Sequence, residues 1–180
     1  MKKKITGVIL AGGLSSRMGR DKGLLPYKGR LLVEYSIEVM KTLCSEIIIS
    51  SNNSAYEQFG HRVVKDIHQQ TGPIGGLYAA LSASNTNDAI ICPCDMPLIS
   101  ADTFHQLLKV NNRAVVVQSN TDKLYPTLGY YNKSCLPTIL QQIEQSNYKM
   151  QSLLKELNAH SVNIDDARSL LNFNSPEDIR

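Results

Sequence analysis

Hydrophobic residues occur along this chain in two alternating patterns, short continuous runs and segments with helical spacing. The apolar runs at residues 5–10 and 88–94 predict buried strands, because a strand covered on both faces has apolar residues at successive positions. Residues 31–43 place apolar side chains on one face of a helix. Further strands are predicted at residues 46–51, 62–65, 114–119, 125–131 and 161–164, and further helices at 54–60, 75–84, 100–110, 133–145 and 150–157.

Strands that alternate with helices predict an α/β fold, a mostly parallel twisted sheet with helices on both faces. Segments 114–119 and 125–131 are joined by a short polar turn, which favours an antiparallel pair at an edge. Residues 174–178 carry a helix-start pattern with a capping residue and a proline. No repeat or linker composition interrupts the chain, so we expect a single domain over residues 1–180.

Composition narrows the possible classes of protein. The chain has 180 residues, 42% of them hydrophobic and 19% charged, and a net charge of +3, which is typical of a globular protein. Its only basic cluster, Lys2-Lys3-Lys4, is too small to indicate nucleic-acid binding. No apolar stretch is long enough for a membrane span and no signal-peptide pattern begins the chain, so we expect a cytoplasmic protein. The four cysteines form no C-x-x-C pair, and we expect buried free thiols.

A glycine-rich loop follows the first predicted strand and indicates phosphate binding. Gly12 and Gly13 allow close approach of a ligand to backbone N–H groups, and Arg17 and Lys22 add fixed positive charge. The spacing matches neither G-x-x-x-x-G-K-[ST] nor G-x-G-x-x-G, which excludes the P-loop and the dinucleotide-binding loop. The alternative interpretation is a glycine-rich turn with solvated charges.

Polar residues also follow three other predicted strands, at 50–53, at Asp66 and at Asp95, and in an open α/β sheet ligands bind beyond these carboxyl ends. Asp95 is a candidate Mg²⁺ ligand, or alternatively caps the turn before Pro97. Asp66 is a candidate for contact with a ribose hydroxyl or with the outer shell of a metal, or alternatively starts a turn. The turn at 71–77 either presents backbone groups to a base or an anion, or simply connects a loop to a helix.

Five segments carry a resemblance to a known family. They are LAGG-x-S-x-RMG-x-DK-x-LL at residues 10–25, Asp66 with GPIGGL at 72–77, CPCDMP at 92–97, YPTLG at 125–129 and NFNSPED at 172–178. Together they resemble the nucleotidyltransferases of the sugar-nucleotide pyrophosphorylase type, and among these the molybdenum cofactor guanylyltransferases. The segments keep the family's order over nearly the whole chain, so the resemblance is specific.

The resemblance implies a Rossmann-like nucleotidyltransferase fold and transfer of GMP from GTP to the terminal phosphate of molybdopterin, with release of pyrophosphate. Its implied cofactor is Mg²⁺, and its implied partners are GTP, molybdopterin and, further on, proteins that deliver or receive the molybdenum cofactor. The implied nucleotide-binding residues are Leu10, Ala11, Gly12, Gly13, Lys22, Asp66 and Asp95. The implied catalytic residues are Arg17, Lys22 and Asp95, with Asp95 as the metal ligand.

The same resemblance places Asn172 or Asn174 toward the acceptor. One position departs from the pattern, since some members carry an asparagine that helps to read guanine where this chain has Ser50, with Asn52 two residues later.

Other functions remain open at this point. One is a cytidylyltransferase acting on the same pterin, or another nucleotidyltransferase of the same fold, which a panel of nucleotides would distinguish. The other is a non-catalytic nucleotide-binding module, which would keep the loop without needing Asp95 beside it.

Overall fold

The computed structural model describes residues 4–12, 21–68, 70–119, 121–173 and 178. The strands in this part of the chain are β1 (Thr6–Leu10), β2 (Pro26–Tyr27), β3 (Arg30–Leu31), β4 (Glu46–Ser50), β5 (Arg62–Val64), β6 (Asp88–Pro93), β7 (Ala114–Ser119), β8 (Leu124–Asn132) and β9 (His160–Ile164). The α-helices are α1 (Leu32–Leu43), α2 (Pro73–Ala83), α3 (Ala101–Leu108), α4 (Leu136–Glu144) and α5 (Met150–Glu156). Three 3₁₀ helices cover Lys22–Leu24, Ser54–Phe59 and Lys133–Cys135.

Seven strands form one sheet in the order β5-β4-β1-β6-β8-β7-β9. Strands β5, β4, β1 and β6 are parallel, and β9 pairs in parallel with β7. Strand β8 is antiparallel to both β6 and β7, which confirms the predicted antiparallel pair toward one end of a mostly parallel sheet. Strand β9 lies outside this pair as the last strand on that side.

Helices cover both faces of the sheet, as predicted. One core packs α1 and α3 against the sheet, and the other packs α2, α4 and α5 against the opposite face. Neighbouring strand residues divide between the two cores, for example Val8 and Ile9 on β1. Continuous apolar runs therefore appear in the inner strands β1, β4 and β6, because nearly all of their residues are buried on one face or the other.

Most predicted element boundaries agree with the structure within about two residues. The helix predicted at 54–60 is a 3₁₀ helix, and Ser100 is the N-cap residue of α3 without a side-chain capping hydrogen bond. The hairpin β2–β3 was not predicted, and most of the helix start at 174–178 lies outside the described residues. All four cysteines are free thiols; three are buried and Cys44 is partly exposed. No helix among the described residues is long and apolar enough to cross a membrane.

The order of the strands places the crevice of the sheet at the carboxyl end of β1. From β1 the chain passes to β4 and β5 on one side, and then returns to β6 on the other side of β1. In open α/β sheets such a reversal opens a crevice beyond the strand ends, where ligands bind. The segments that follow β1, β4, β5 and β6 all start at this edge.

Candidate active site

The backbone at the tip of β1 is held between its two neighbouring strands. The N–H of Ala11 donates to the Ser50 carbonyl at 2.9 Å, and the N–H of Cys94 donates to the Leu10 carbonyl at 3.1 Å. Ala11 is fully buried, whereas Gly12 is exposed. Among the described residues, no atom would lie closer than 3.9 Å to a Cβ atom on Gly12. Strand β1 thus presents backbone at the middle of the crevice.

Asp95 brings together three segments that are distant in the sequence. Its Oδ2 lies 3.5 Å from the Lys22 Nζ, and its Oδ1 accepts a hydrogen bond of 2.9 Å from the Asn172 Nδ2. The N–H of Phe173 donates to the Asp95 carbonyl at 2.8 Å. The Asp95 side chain is 13% exposed and that of Lys22 is 28% exposed. The Asp95 carboxylate and the Lys22 amine are therefore held side by side, and both remain partly exposed to solvent.

Asp66 lies two residues beyond β5, against the first turn of α2. Its Oδ1 accepts from the His68 N–H at 2.9 Å, and its own N–H donates to the Asn52 Oδ1 at 2.9 Å. A Cβ atom on Gly75 would lie 2.6 Å from either Asp66 carboxylate oxygen, so the missing side chain makes room for this carboxylate. Partial burial raises the pKa of Asp66, while the hydrogen bond from His68 acts in the opposite direction.

Ser50 connects the tip of β4 to α2. Its hydroxyl donates to the Gly76 carbonyl at 3.2 Å, and the side chain is 5% exposed. A Cβ atom on Gly76 would lie 2.8 Å from the Ser50 Oγ and 3.5 Å from the Leu10 Cδ2. Ser50 is thus engaged with the helix, and Asn52 is the exposed amide at this strand end.

These contacts form a continuous path from Asp66 to Asp95. Asp66 touches the first turn of α2, α2 touches Ser50 and Leu10, and Leu10 is hydrogen-bonded to the residue before Asp95. The predicted residues Leu10, Ala11, Gly12, Lys22, Asp66, Asp95 and Asn172 therefore lie along one edge of the sheet. Gly13, Arg17 and Asn174 lie outside the described residues, and their roles stay predictions.

Asp21 is a further residue of this region to which sequence reasoning assigned no role. It is the N-cap of the 3₁₀ helix that begins with Lys22, and its Oδ1 accepts from the Gly23 N–H at 3.2 Å. It also accepts hydrogen bonds from Tyr56 and Asn53. The position of Asp21 directly before Lys22 was a usable signal, but its contact with Tyr56 spans 35 residues and has no local pattern.

The donor set suits a metal ion that is held mainly by substrate. Among the described residues no group of three or more His, Cys, Asp or Glu side chains surrounds a common point. Mg²⁺ is commonly bound by one or two carboxylates together with phosphates and water, and Asp95 supplies such a carboxylate at the crevice. The neighbouring thiols are poor ligands in their protonated form, since burial raises the pKa of Cys92 to about 12 and raises that of Cys94 further.

A mostly parallel α/β sheet with an exposed glycine, a lysine and an aspartate at the carboxyl ends of its strands matches the class of nucleotidyltransferases. The sequence profile described as the MobA-like NTP transferase domain matches residues 7–162. The chain belongs to this family, and it is a nucleotidyltransferase.

Two relatives of this chain are named guanylyltransferases. The chain is 34% identical to the molybdenum cofactor guanylyltransferase of Yersinia pestis, over 99% of this chain and 94% of the relative. It is 31% identical to the probable molybdenum cofactor guanylyltransferase of Flavobacterium johnsoniae, over 97% of this chain and 94% of that protein. These names favour an enzyme over a non-catalytic nucleotide-binding module.

A solved structure shares the fold. The molybdopterin-guanine dinucleotide biosynthesis protein A from Archaeoglobus fulgidus superposes with a TM-score of 0.81 at 21% identity, covering 97% of this chain and 94% of that one. At this identity the superposition shows that the arrangement of strands and helices is common to both.

Proposed function

We propose that this enzyme transfers GMP from GTP to the terminal phosphate of molybdopterin and releases pyrophosphate. A phosphate oxygen of the acceptor forms a bond to the α-phosphorus of GTP. The bond from that phosphorus to the bridging oxygen of the β-phosphate breaks, and its electron pair leaves with pyrophosphate. The observation that carries the proposal is the pairing of Asp95 with Lys22 at the crevice, in a chain whose relatives bear the name guanylyltransferase.

The proposed reaction needs no strong general base. A phosphate monoester has a second pKa of about 6, so its dianion is already a nucleophile at neutral pH. Both reactants are anionic and repel one another, so the enzyme must hold them in line and offset their charge. Lys22 supplies a fixed positive charge for this purpose, and Arg17 is proposed to add a second at the β- and γ-phosphates.

Mg²⁺ is proposed to bind at Asp95. When bound, Mg²⁺ would supply positive charge to the phosphate oxygens of the nucleotide. Asp95 is suited to hold it because its carboxylate lies at the crevice and stays partly exposed. Lys22, at 3.5 Å, balances the negative charge of this carboxylate and is near enough to share a phosphate group with it.

The remaining residues are assigned to the two substrates. Leu10, Ala11, Gly12 and Gly13 are proposed to line the guanine and phosphate pocket, because β1 ends in the middle of the crevice. Asp66 is proposed to contact the nucleotide from the β5 side. Asn172 and Asn174 are proposed to reach the acceptor, and the hydrogen bond of Asn172 to Asp95 supports an acceptor site that adjoins the metal ligand.

Calorimetric titration with GTP, CTP, ATP and UTP, with and without Mg²⁺, tests this proposal. We expect the tightest binding for GTP and a dependence on Mg²⁺. Preference for CTP would reassign the enzyme to cytidylyl transfer, and no binding of any triphosphate would refute nucleotidyl transfer. A second assay incubates the enzyme with GTP and molybdopterin and measures pyrophosphate release, which we expect only when both substrates are present.

A further inference from the structure

The Asp21 carboxylate accepts hydrogen bonds from three other residues in the part of the chain that the structure describes. Its Oδ1 accepts from the Gly23 N–H at 3.2 Å and from the Tyr56 hydroxyl, and its Oδ2 accepts from the Asn53 Nδ2 at 3.2 Å. Asn53 is itself tied down, because its Oδ1 caps the 3₁₀ helix Ser54–Phe59 through the Ala55 N–H at 3.0 Å. Two 3₁₀ helices from separate parts of the chain thus meet at one carboxylate.

Tyr56 packs against Gly23, the residue that follows Lys22. The tyrosine is 0% exposed, and a Cβ atom on Gly23 would clash with its hydroxyl oxygen. That Cβ atom would also lie 3.1 Å from the Cys94 Sγ, next to Asp95. Burial raises the pKa of Tyr56, so its hydroxyl stays protonated and donates to Asp21. The hydroxyl therefore supports the segment that carries Lys22, because it contacts the residues on either side, Asp21 and Gly23.

We infer that Tyr56 and Asn53 position Lys22 for the reaction by fixing Asp21. This inference rests on the proposed function, in which Lys22 contacts the nucleotide. Lysine has a long flexible side chain, so the place from which the side chain starts determines where its charge can reach. Asp21 sets that place as the N-cap of the 3₁₀ helix, and Asp95 holds the other end of the side chain. Without the Tyr56 hydroxyl, the backbone at Lys22 loses one of its supports.

The first test removes only the hydroxyl, with Tyr56→Phe. Small misplacements of a charged group can cost up to about 100-fold in rate. Because the hydrogen bonds from Gly23 and Asn53 to Asp21 remain, we expect a smaller effect, roughly tenfold in kcat/KM and in the dissociation constant for GTP. The matched control is Tyr131→Phe, since Tyr131 is also fully buried and its hydroxyl donates to the Pro126 carbonyl on β8. The control variant should lose stability without losing affinity for GTP.

A double-mutant cycle separates positioning from general destabilisation. Residues that act through one another give non-additive effects, whereas independent effects add. In a Lys22→Ala background we expect Tyr56→Phe to change the dissociation constant for GTP less than about twofold. The full tenfold loss in that background, or no loss in the wild-type background, would overturn the inference.

Asn53→Ser provides a second variant if Tyr56→Phe fails to fold. Serine is also a good N-cap residue, so the 3₁₀ helix keeps its cap while Asp21 loses the amide donor. We expect weaker GTP binding here too, again only when Lys22 is present, and unchanged binding would contradict the inference. Failure of the wild-type protein to bind any nucleotide would instead refute the proposed function, so the two failures are distinguishable.

Discussion

Replacement of Asp95 by asparagine tests the proposed metal and nucleotide site with the least change in shape. Asparagine keeps an oxygen that can accept from the Asn172 Nδ2, as Asp95 does at 2.9 Å, and it leaves the backbone bond from Phe173 in place. What the variant loses is the negative charge that faces Lys22 at 3.5 Å. The variant should therefore keep its fold while losing catalytic activity.

The expected cost in stability is small. Lys22 is 28% exposed, so solvent screens its ion pair with Asp95, and the pair is worth about 1 kcal/mol. Exchanging a charge-assisted hydrogen bond from Asn172 for a neutral one costs about 1 kcal/mol more. A loss of about 2 kcal/mol leaves a protein of ordinary stability folded. Turnover should fall much further, by roughly 10²–10³-fold, because charge stabilisation at the reacting phosphates is lost.

The assay is the steady-state rate of pyrophosphate release, together with GTP binding measured with and without Mg²⁺. We expect Mg²⁺ to tighten GTP binding by the wild-type protein and to have little effect on the variant. Asp102→Asn is the control, since Asp102 lies on α3 with 87% of its side chain exposed. A turnover within about threefold of wild type, or an unchanged effect of Mg²⁺ on binding, would refute the assignment of Asp95.

Three further predictions concern the same edge of the sheet. Lys22→Ala should lower turnover by roughly 10²-fold and the free energy of unfolding by at most about 1 kcal/mol, and an unchanged rate would indicate a structural role. Gly23→Ala should lower the free energy of unfolding by about 1–3 kcal/mol in chemical denaturation, because its methyl group meets Tyr56. Gly12→Ala, whose methyl group would lie 3.9 Å or more from the described residues, should change it by at most about 0.5 kcal/mol, and equal losses would contradict this packing. Burial raises the pKa of Asp66 in the folded state above its ordinary 3.8, so protonated Asp66 favours the folded state. This contribution to stability is complete below pH 3.8 and is lost as the pH rises through the folded-state pKa. Asp66→Asn should therefore gain stability relative to wild type as the pH is raised from about 3 to about 7, and a constant difference in denaturation would contradict the shift.

Sequence reasoning succeeded where a structural feature depends on residues that are close along the chain. The strand β1 and the helix α1 were predicted because burial on both faces, or on one face, leaves a periodic pattern of apolar residues. The hairpin β2–β3 was missed because strands of two residues are too short to show a period. Strand β8 was recognised as antiparallel from the short turn before it, but no local signal placed it between β6 and β7.

In the candidate site, too, the sequence predicted the residues at strand ends but not their long-range contacts. Asp95 and Asp66 were found from the sequence because each follows a predicted strand, and parallel strands end at a common edge. Lys22 and Asn172 were also candidates, but their direct contacts with Asp95 were not predicted, because these contacts join positions 73 and 77 residues apart. The same holds for Asp21 and Tyr56, since a buried tyrosine looks like any other core residue in a sequence.

The sequence by itself thus determined the α/β class, the resemblance to the guanylyltransferases and the residue types that follow each strand. These features depend on local periodicity and on short motifs, whose residues are close together in the sequence. The tertiary structure decided the order of the strands, the joining of Lys22, Asp95 and Asn172, and the support of Asp21 by Tyr56. Such contacts form only when distant segments pack together, because their geometry is set by the burial of the whole sheet between its two layers of helices.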